Sequence, residues 1–161
     1  MTTDPIGTST INASDIVEIQ QLLARYGHAI DDRDWTAFRA LFLADAVLDY
    51  TAVRAPEVCN GIDSIMQYFE PANHPSAHHV TNIVVDPAAP IDGRRAAVVR
   101  SKWFAPYTRA SHEPKRWAGG TYLDTVVHTS EGWRFIRKVC LPGWQFTPEG
   151  QGDVAEHRRT N

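Results

Sequence analysis

The chain is predicted to fold as an α+β protein whose curved, mainly antiparallel sheet wraps a pocket beside three N-terminal helices. Three observations predict this. Ile16, Ile19, Leu23, Tyr26 and Ile30 recur at spacings of three and four, the period of an amphipathic helix. A compact apolar face at Trp35, Phe38, Leu41 and Phe42 follows directly. The second half then changes character, with four β-rich stretches at about 77–86, 95–108, 116–128 and 132–146.

Taken in order, the first helix starts at a cap supplied by Asn12 or Ser14. Asp34 caps the short second helix, which ends at the turn Leu43-Ala-Asp-Ala46. Ala46 to Val53 is short, β-rich and bounded by polar turns, and is expected to be the first strand. Gly61 to Phe69 reads as a third helix stopped by Pro71. Asp92-Gly93 and Ser130-Glu-Gly132 supply turns between neighbouring long strands. Residues 1–12 and 148–161 are polar and rich in small residues, so both ends are expected to be flexible around a single domain at 13–147.

Composition narrows the function classes. A hydrophobic share of 43%, a charged share of 22% and a net charge of −3 give no electrostatic drive toward nucleic acid or an anionic membrane. A small neutral or weakly charged ligand suits this balance better. The N-terminus has neither a basic start nor an apolar stretch, no run is long enough to span a bilayer, and Cys59 and Cys140 lack metal-like spacing, so a cytoplasmic protein is expected.

Two segments carry groups able to do chemistry, Tyr26-Gly-His-Ala-Ile-Asp31-Asp-Arg-Asp-Trp35 and His78-His-Val-Thr-Asn82. Brought into one apolar cavity, they provide an Asp–His general base with a phenol beside it. Asp31 falls near the end of the first helix, where the dipole disfavours a negative charge and a compensating partner would help. His78 shares a strand face with Val80, Asn82 and Val84, and His79 one with Thr81, Ile83 and Val85, so alternation does not choose between the imidazoles. Tyr26 lies on the helix stripe, while Tyr50 competes with Asp49 for the inward position. Trp35, Phe38 and Trp103 suit either the core or the wall of a pocket for a flat hydrophobic ligand. Arg137 and Lys138 alternate on the last strand, so one of them can point into the cone. The paired histidines have no third ligand at a matching offset, and no metal is expected; His28, His74, His112, His128 and His157 receive no role.

In this order of elements, the motifs Tyr26-x4-Asp31-x2-Asp34-Trp35, Leu41-Phe-Leu-Ala-Asp-Ala46, His78-x3-Asn82, Gly119-Gly-Thr-Tyr-Leu-Asp124 and Gly132-Trp-Arg-Phe135 resemble the SnoaL-like families of the nuclear transport factor 2 superfamily. That resemblance implies a cone-shaped α+β barrel with a pocket. Scytalone dehydratase, hexachlorocyclohexane dehydrochlorinase and bile-acid 7α-dehydratase look most similar, and imply cofactor-independent proton abstraction by an Asp–His pair. Their aspartate falls on Asp31 and their histidine on His78, which the His-x3-Asn spacing favours over His79. Tyr26 and Tyr50 match tyrosines of the bile-acid enzyme and of scytalone dehydratase. Other family positions depart: Gly119 or Gly120 stands where scytalone dehydratase has a second histidine, and Lys138 where the dehydrochlorinase has an arginine.

The resulting expectation is a lyase, dehydratase-like or isomerase-like enzyme acting on a small cyclic hydrophobic metabolite such as a polyketide, steroid or terpenoid. Asp31, His78 and Tyr26 are the expected catalytic residues; His79, Tyr50, Asn82, Trp35, Phe38, Trp103 and Lys138 are the expected substrate contacts. Alternatives of other classes are a polyketide cyclase, a non-catalytic small-molecule binder with the same cone, and a subunit resembling the β-subunit of ring-hydroxylating dioxygenases. The superfamily also implies a homodimer or homotrimer.

Overall fold

The computed structural model describes residues 9–53, 55–72, 74, 75, 77–108 and 114–147. Three helices, α1 (Ala13–Asp31), α2 (Trp35–Ala40) and α3 (Ile62–Phe69), accompany six strands: β1 (Phe42–Asp49), β2 (Cys59–Asn60), β3 (His79–Ile91), β4 (Arg94–Thr108), β5 (Pro114–Thr129) and β6 (Gly132–Phe146). The strands form one sheet in the order β2-β1-β6-β5-β4-β3. Only β1 and β6 run parallel; every other neighbouring pair is antiparallel. This is the predicted α+β architecture, with β2 and β3 left as edges, so strand pairing does not close a barrel.

The start of α1 is fixed twice over. Asn12 and Asp15 form a reciprocal capping box, each side chain accepting from the other's backbone N–H at 3.0 Å. The same Asp15 carboxylate also accepts from Arg95 at 2.6 and 3.0 Å and from Trp133 Nε1 at 3.2 Å, which ties the helix to β4 and β6. Behind it, Tyr26 meets Phe38, Phe42, Tyr122 and Phe135 with ring centroids 5.6 to 6.2 Å apart, joining α1, α2 and the sheet in one core.

Several boundaries differ from expectation. Strand β1 begins at Phe42, so Leu43 to Ala46 is strand rather than the turn that ends α2. Tertiary pairing outweighs the local helical pattern here, since Phe42 registers with Phe135 and the Phe135 N–H donates to Leu41 O at 2.9 Å. The two-residue β2 was not expected. Strand β3 starts at His79 and continues through Pro87, which its edge position tolerates. At the N-terminus, residues 9–12 belong to the folded body: Ser9 is buried, donates through its N–H to Ala88 O at 3.0 Å and accepts from the Ala96 N–H at 2.9 Å. The other residues of the N-terminal segment expected to be flexible, 1–8, and the expected tail at 148–161 lie outside the described residues.

The pairing register of β5 with β6 shifts between Gly119 and Gly120. A Cβ at Gly120 would stand 2.0 Å from the Leu141 carbonyl oxygen, so this close backbone approach requires glycine. No described helix is long and apolar enough to cross a membrane.

Candidate functional site

A cavity of about 310 Å³ is lined from α1, α3, β4, β5, β6 and the loops after β1 and α3. Tyr26, Tyr50, Phe69, Trp103 and Tyr122 supply much of its aromatic wall, and His74, His78, Arg116 and Gln145 are among its polar groups. None of its lining residues is an aspartate or glutamate.

His78 and Asp31 are brought together across 47 positions of sequence. The His78 backbone N–H donates to Asp31 Oδ2 at 2.8 Å, and His78 Nδ1 lies 2.6 Å from Asp31 Oδ1. A carboxylate only accepts, so Nδ1 carries the hydrogen of this contact and Nε2 is the ring nitrogen left for another partner. That nitrogen has no partner among the described residues, and His78 lines the cavity. Gly27, one helical turn before Asp31, lets the His78 segment lie against α1; a Cβ there would be 3.5 Å from His78 Cβ and O.

Beside this pair the Tyr26 and Tyr50 hydroxyls are 2.5 Å apart. Burial holds the hydroxyls of Tyr26, Tyr50 and Tyr122 well above the usual phenol range, so each keeps its proton and remains able to donate. The Trp103 indole N–H is buried without a hydrogen-bond partner among the described residues and lies beside Cys140. Burial pushes the Cys140 thiol up to about 12, which makes it a poor nucleophile.

Other expected contacts lie elsewhere. His78 stands one residue ahead of β3, so the strand alternation begins at His79, which is exposed and stacks on Phe104 at 4.5 Å. Asn82 is exposed at the β3 bulge with φ of 52°, a left-handed conformation that asparagine tolerates, and accepts from Thr81 Oγ1 at 2.6 Å. Neither touches the cavity. Phe38 is fully buried core, and Trp35 is a second layer, packing edge-on against Phe38 and His74.

Lys138 does point inward, but beneath the cavity wall rather than into the space. Its ammonium donates to Asp124 Oδ2 at 2.9 Å and lies 4.2 and 3.8 Å from the Tyr26 and Tyr122 ring centroids. Burial raises the Asp124 carboxyl and lowers the Lys138 ammonium, each partly offset by the other. Arg137 faces outward to Asp49, 3.6 Å away, which leaves Tyr50 as the inward residue of its neighbourhood.

His74, Tyr107, Arg116 and Tyr122 are among the cavity residues that were not anticipated. Tyr122 was detectable in principle, because it alternates with Gly120 and Asp124 on β5. No periodicity marks His74, whose ring stacks on Phe69 at 4.6 Å and whose Nε2 donates to Phe69 O at 2.9 Å.

Comparisons agree with the fold. An uncharacterized protein of Mycobacterium tuberculosis (strain H37Rv), Rv2910c, is 33% identical over 137 residues, covering 81% of this chain and 87% of that one. The crystal structure of a provisionally named scytalone dehydratase from Novosphingobium aromaticivorans superposes with a TM-score of 0.71 at 22% identity, covering 90% of this chain and 95% of that one. The structure of LinA gives a TM-score of 0.68 at 12% identity, over 89% of this chain and 95% of its own. At such identities the structural likeness is one of fold. The SnoaL-like domain model matches residues 12–139, from the cap of α1 into β6 and across both halves of the cavity, and the chain belongs to that family.

Proposed function

We propose that the chain is a proton-transfer enzyme of the lyase or isomerase type acting on a small cyclic hydrophobic compound. The observation that carries this reading is the Asp31–His78 contact at an aromatic cavity, with both carboxylate oxygens engaged by one histidine and its Nε2 left for a ligand. In this reading Nε2 removes a carbon-bound proton. The Asp31 charge then faces the positive ring that forms, and Nδ1–H keeps the imidazole oriented. The Tyr26–Tyr50 pair donates to a departing hydroxyl or to the developing enolate oxygen. A volume of about 310 Å³ suits a compound of two or three fused rings at the small end of ligand pockets. No cofactor is part of the proposal, which routes each proton through the chain's own side chains.

A homodimer or homotrimer accompanies this reading, supported by Val84, Val98 and Leu123 exposed on the sheet. Sedimentation equilibrium tests it, and a monomer at micromolar concentration removes it.

Enolisation can be followed on a simple carbon acid. With 2-tetralone in deuterated buffer, the wild type should accelerate exchange of the protons beside the carbonyl, and Asp31→Asn and His78→Ala should each remove most of that acceleration. Exchange that survives both changes within a few-fold means that the base is another group. Binding without exchange by the wild type favours the non-catalytic receptor.

A further inference from the structure

We propose that Arg116 is the anion-recognition residue of the cavity, so that the compound bound there carries a carboxylate or a similarly compact anionic group on its apolar ring system. This rests on the cavity's being a substrate site, and adds the chemical class of the substrate.

The charge distribution points to an anion. The chain has 19 acidic and 16 basic residues, yet the described lining contains no carboxylate and one permanently charged side chain, Arg116. Arg116 is half-buried beside the exposed Gln145, at the solvent-facing end of the cavity, so an anionic group bound there keeps contact with water while the ring system enters the aromatic interior.

Among the described residues, Arg116 is also held in place without a carboxylate partner. Its guanidinium carbon lies 4.2 Å from the Tyr107 ring centroid, and NH1 donates to Gln145 Oε1 at 3.4 Å. Both partners are uncharged. By contrast, Arg39, Arg94, Arg95, Arg134 and Arg137 each meet a carboxylate within 4 Å. Stacking on Tyr107 fixes the plane of the guanidinium fork, whose free N–H groups match the geometry of a carboxylate.

Its place in the sheet sets it apart from the tyrosine pair. Arg116 pairs with Tyr107 near one end of β4 and β5, whereas Tyr122, beside Tyr26, lies six positions further along β5. His79 pairs with Phe104 and Phe104 with Gly119, so His78 enters the cavity nearer the Arg116 end. An anionic group held at Arg116 would therefore anchor the ring system on the imidazole's side of the cavity, where its binding energy positions the ring for the reaction.

Calorimetric titration with 2-naphthoate and 2-naphthamide, which differ chiefly in charge, tests this. The wild type should bind the naphthoate about ten-fold or more tighter than the amide at both pH 6 and pH 9, since arginine stays charged at both. Arg116→Gln should bring the two affinities within about two-fold while leaving the amide's unchanged. Equal affinities in the wild type, a preference that survives Arg116→Gln, a preference confined to pH 6, or no measurable naphthoate binding each overturn the proposal. His78→Ala distinguishes the two readings: if it abolishes tetralone exchange and keeps the naphthoate preference, base and anion site are separate, and if it removes the preference, the imidazole rather than Arg116 holds the anion.

Discussion

At the start of α1, Asp15 occupies the first turn, where the helix dipole favours its charge, and it accepts from Asn12, Arg95 and Trp133. At the other end of the same helix Asp31 occupies the last position, where the dipole disfavours a carboxylate, and its described partner is His78 alone. Asp15 has three partners, and its side chain is 5% exposed. Asp31 holds a partner whose second nitrogen stays available, at a site open enough to leave its own side chain 17% exposed. A carboxylate that stabilises the fold is thus consumed by its contacts, whereas the one to which the proposed function gives a role sits in a less favourable position and orients a neighbour that keeps a nitrogen unpaired among the described residues.

The largest effect should come from breaking the functional end. His78→Ala is expected to lower wild-type exchange of 2-tetralone by about 10²–10⁴-fold. Its unfolding free energy should change by no more than about 1 kcal/mol, because the ring is replaceable and the backbone bond to Asp31 remains. A loss of stability as large as the loss of rate would make the pair structural.

Breaking the other end should do the reverse. Asp15→Ala removes a cap and leaves Trp133 Nε1 without its acceptor, at a cost of about 3 kcal/mol in urea denaturation. Exchange activity should stay within a few-fold. Stability within about 1 kcal/mol of wild type would erase the contrast between the two acids.

Acid sharpens the comparison further. Hydrogen bonding from Arg95, foremost among several contacts and against the effect of burial, holds the Asp15 carboxyl below its ordinary value of 3.8. A depressed folded value means that this stabilisation is complete above about pH 4 and fades as the pH falls through the folded value. The stability gap between wild type and Asp15→Ala should therefore narrow between about pH 4 and pH 2. A gap that stays constant over that range would show that the charge contributes nothing.

The smallest effect concerns the spacing between α1 and His78. Gly27→Ala places a Cβ in ordinary contact with His78 Cβ and O at 3.5 Å, and should stabilise the helix by about 0.5–1 kcal/mol. An activity loss of ten-fold or more would show that the His78 position depends on the absent Cβ.

Much of the fold was legible because its signals are local. The three-and-four spacing from Ile16 to Ile30 and the Asn12 cap define α1, and turns at Asp92-Gly93 and Glu131-Gly132 divide the long strands. The start of β1 was misplaced because Phe42 satisfies a helical face equally well, and only its register with Phe135 makes it a strand residue. Family spacing selected Asp31 and His78; the helical pattern alone did not separate Asp31 from Asp32 and Asp34. His79, kept because alternation did not choose between the imidazoles, and Asn82, taken from the family spacing, lie outside the cavity because β3 begins at His79 and is interrupted by a bulge at Asn82.

The sequence by itself determined the order and type of most elements, the cap of α1 and the membership of a polar–aromatic set from which a site could be drawn. Tertiary structure decided which members meet: Tyr26 with Tyr50 across 24 positions, Asp31 with His78 across 47, and Lys138 with Asp124 below the wall rather than with a ligand. The physical reason is range. Periodicity and capping act between residues within about one helical turn, while sheet register, with its shifts at Gly119–Gly120 and around Asn82, sets the direction of side chains far apart in the chain.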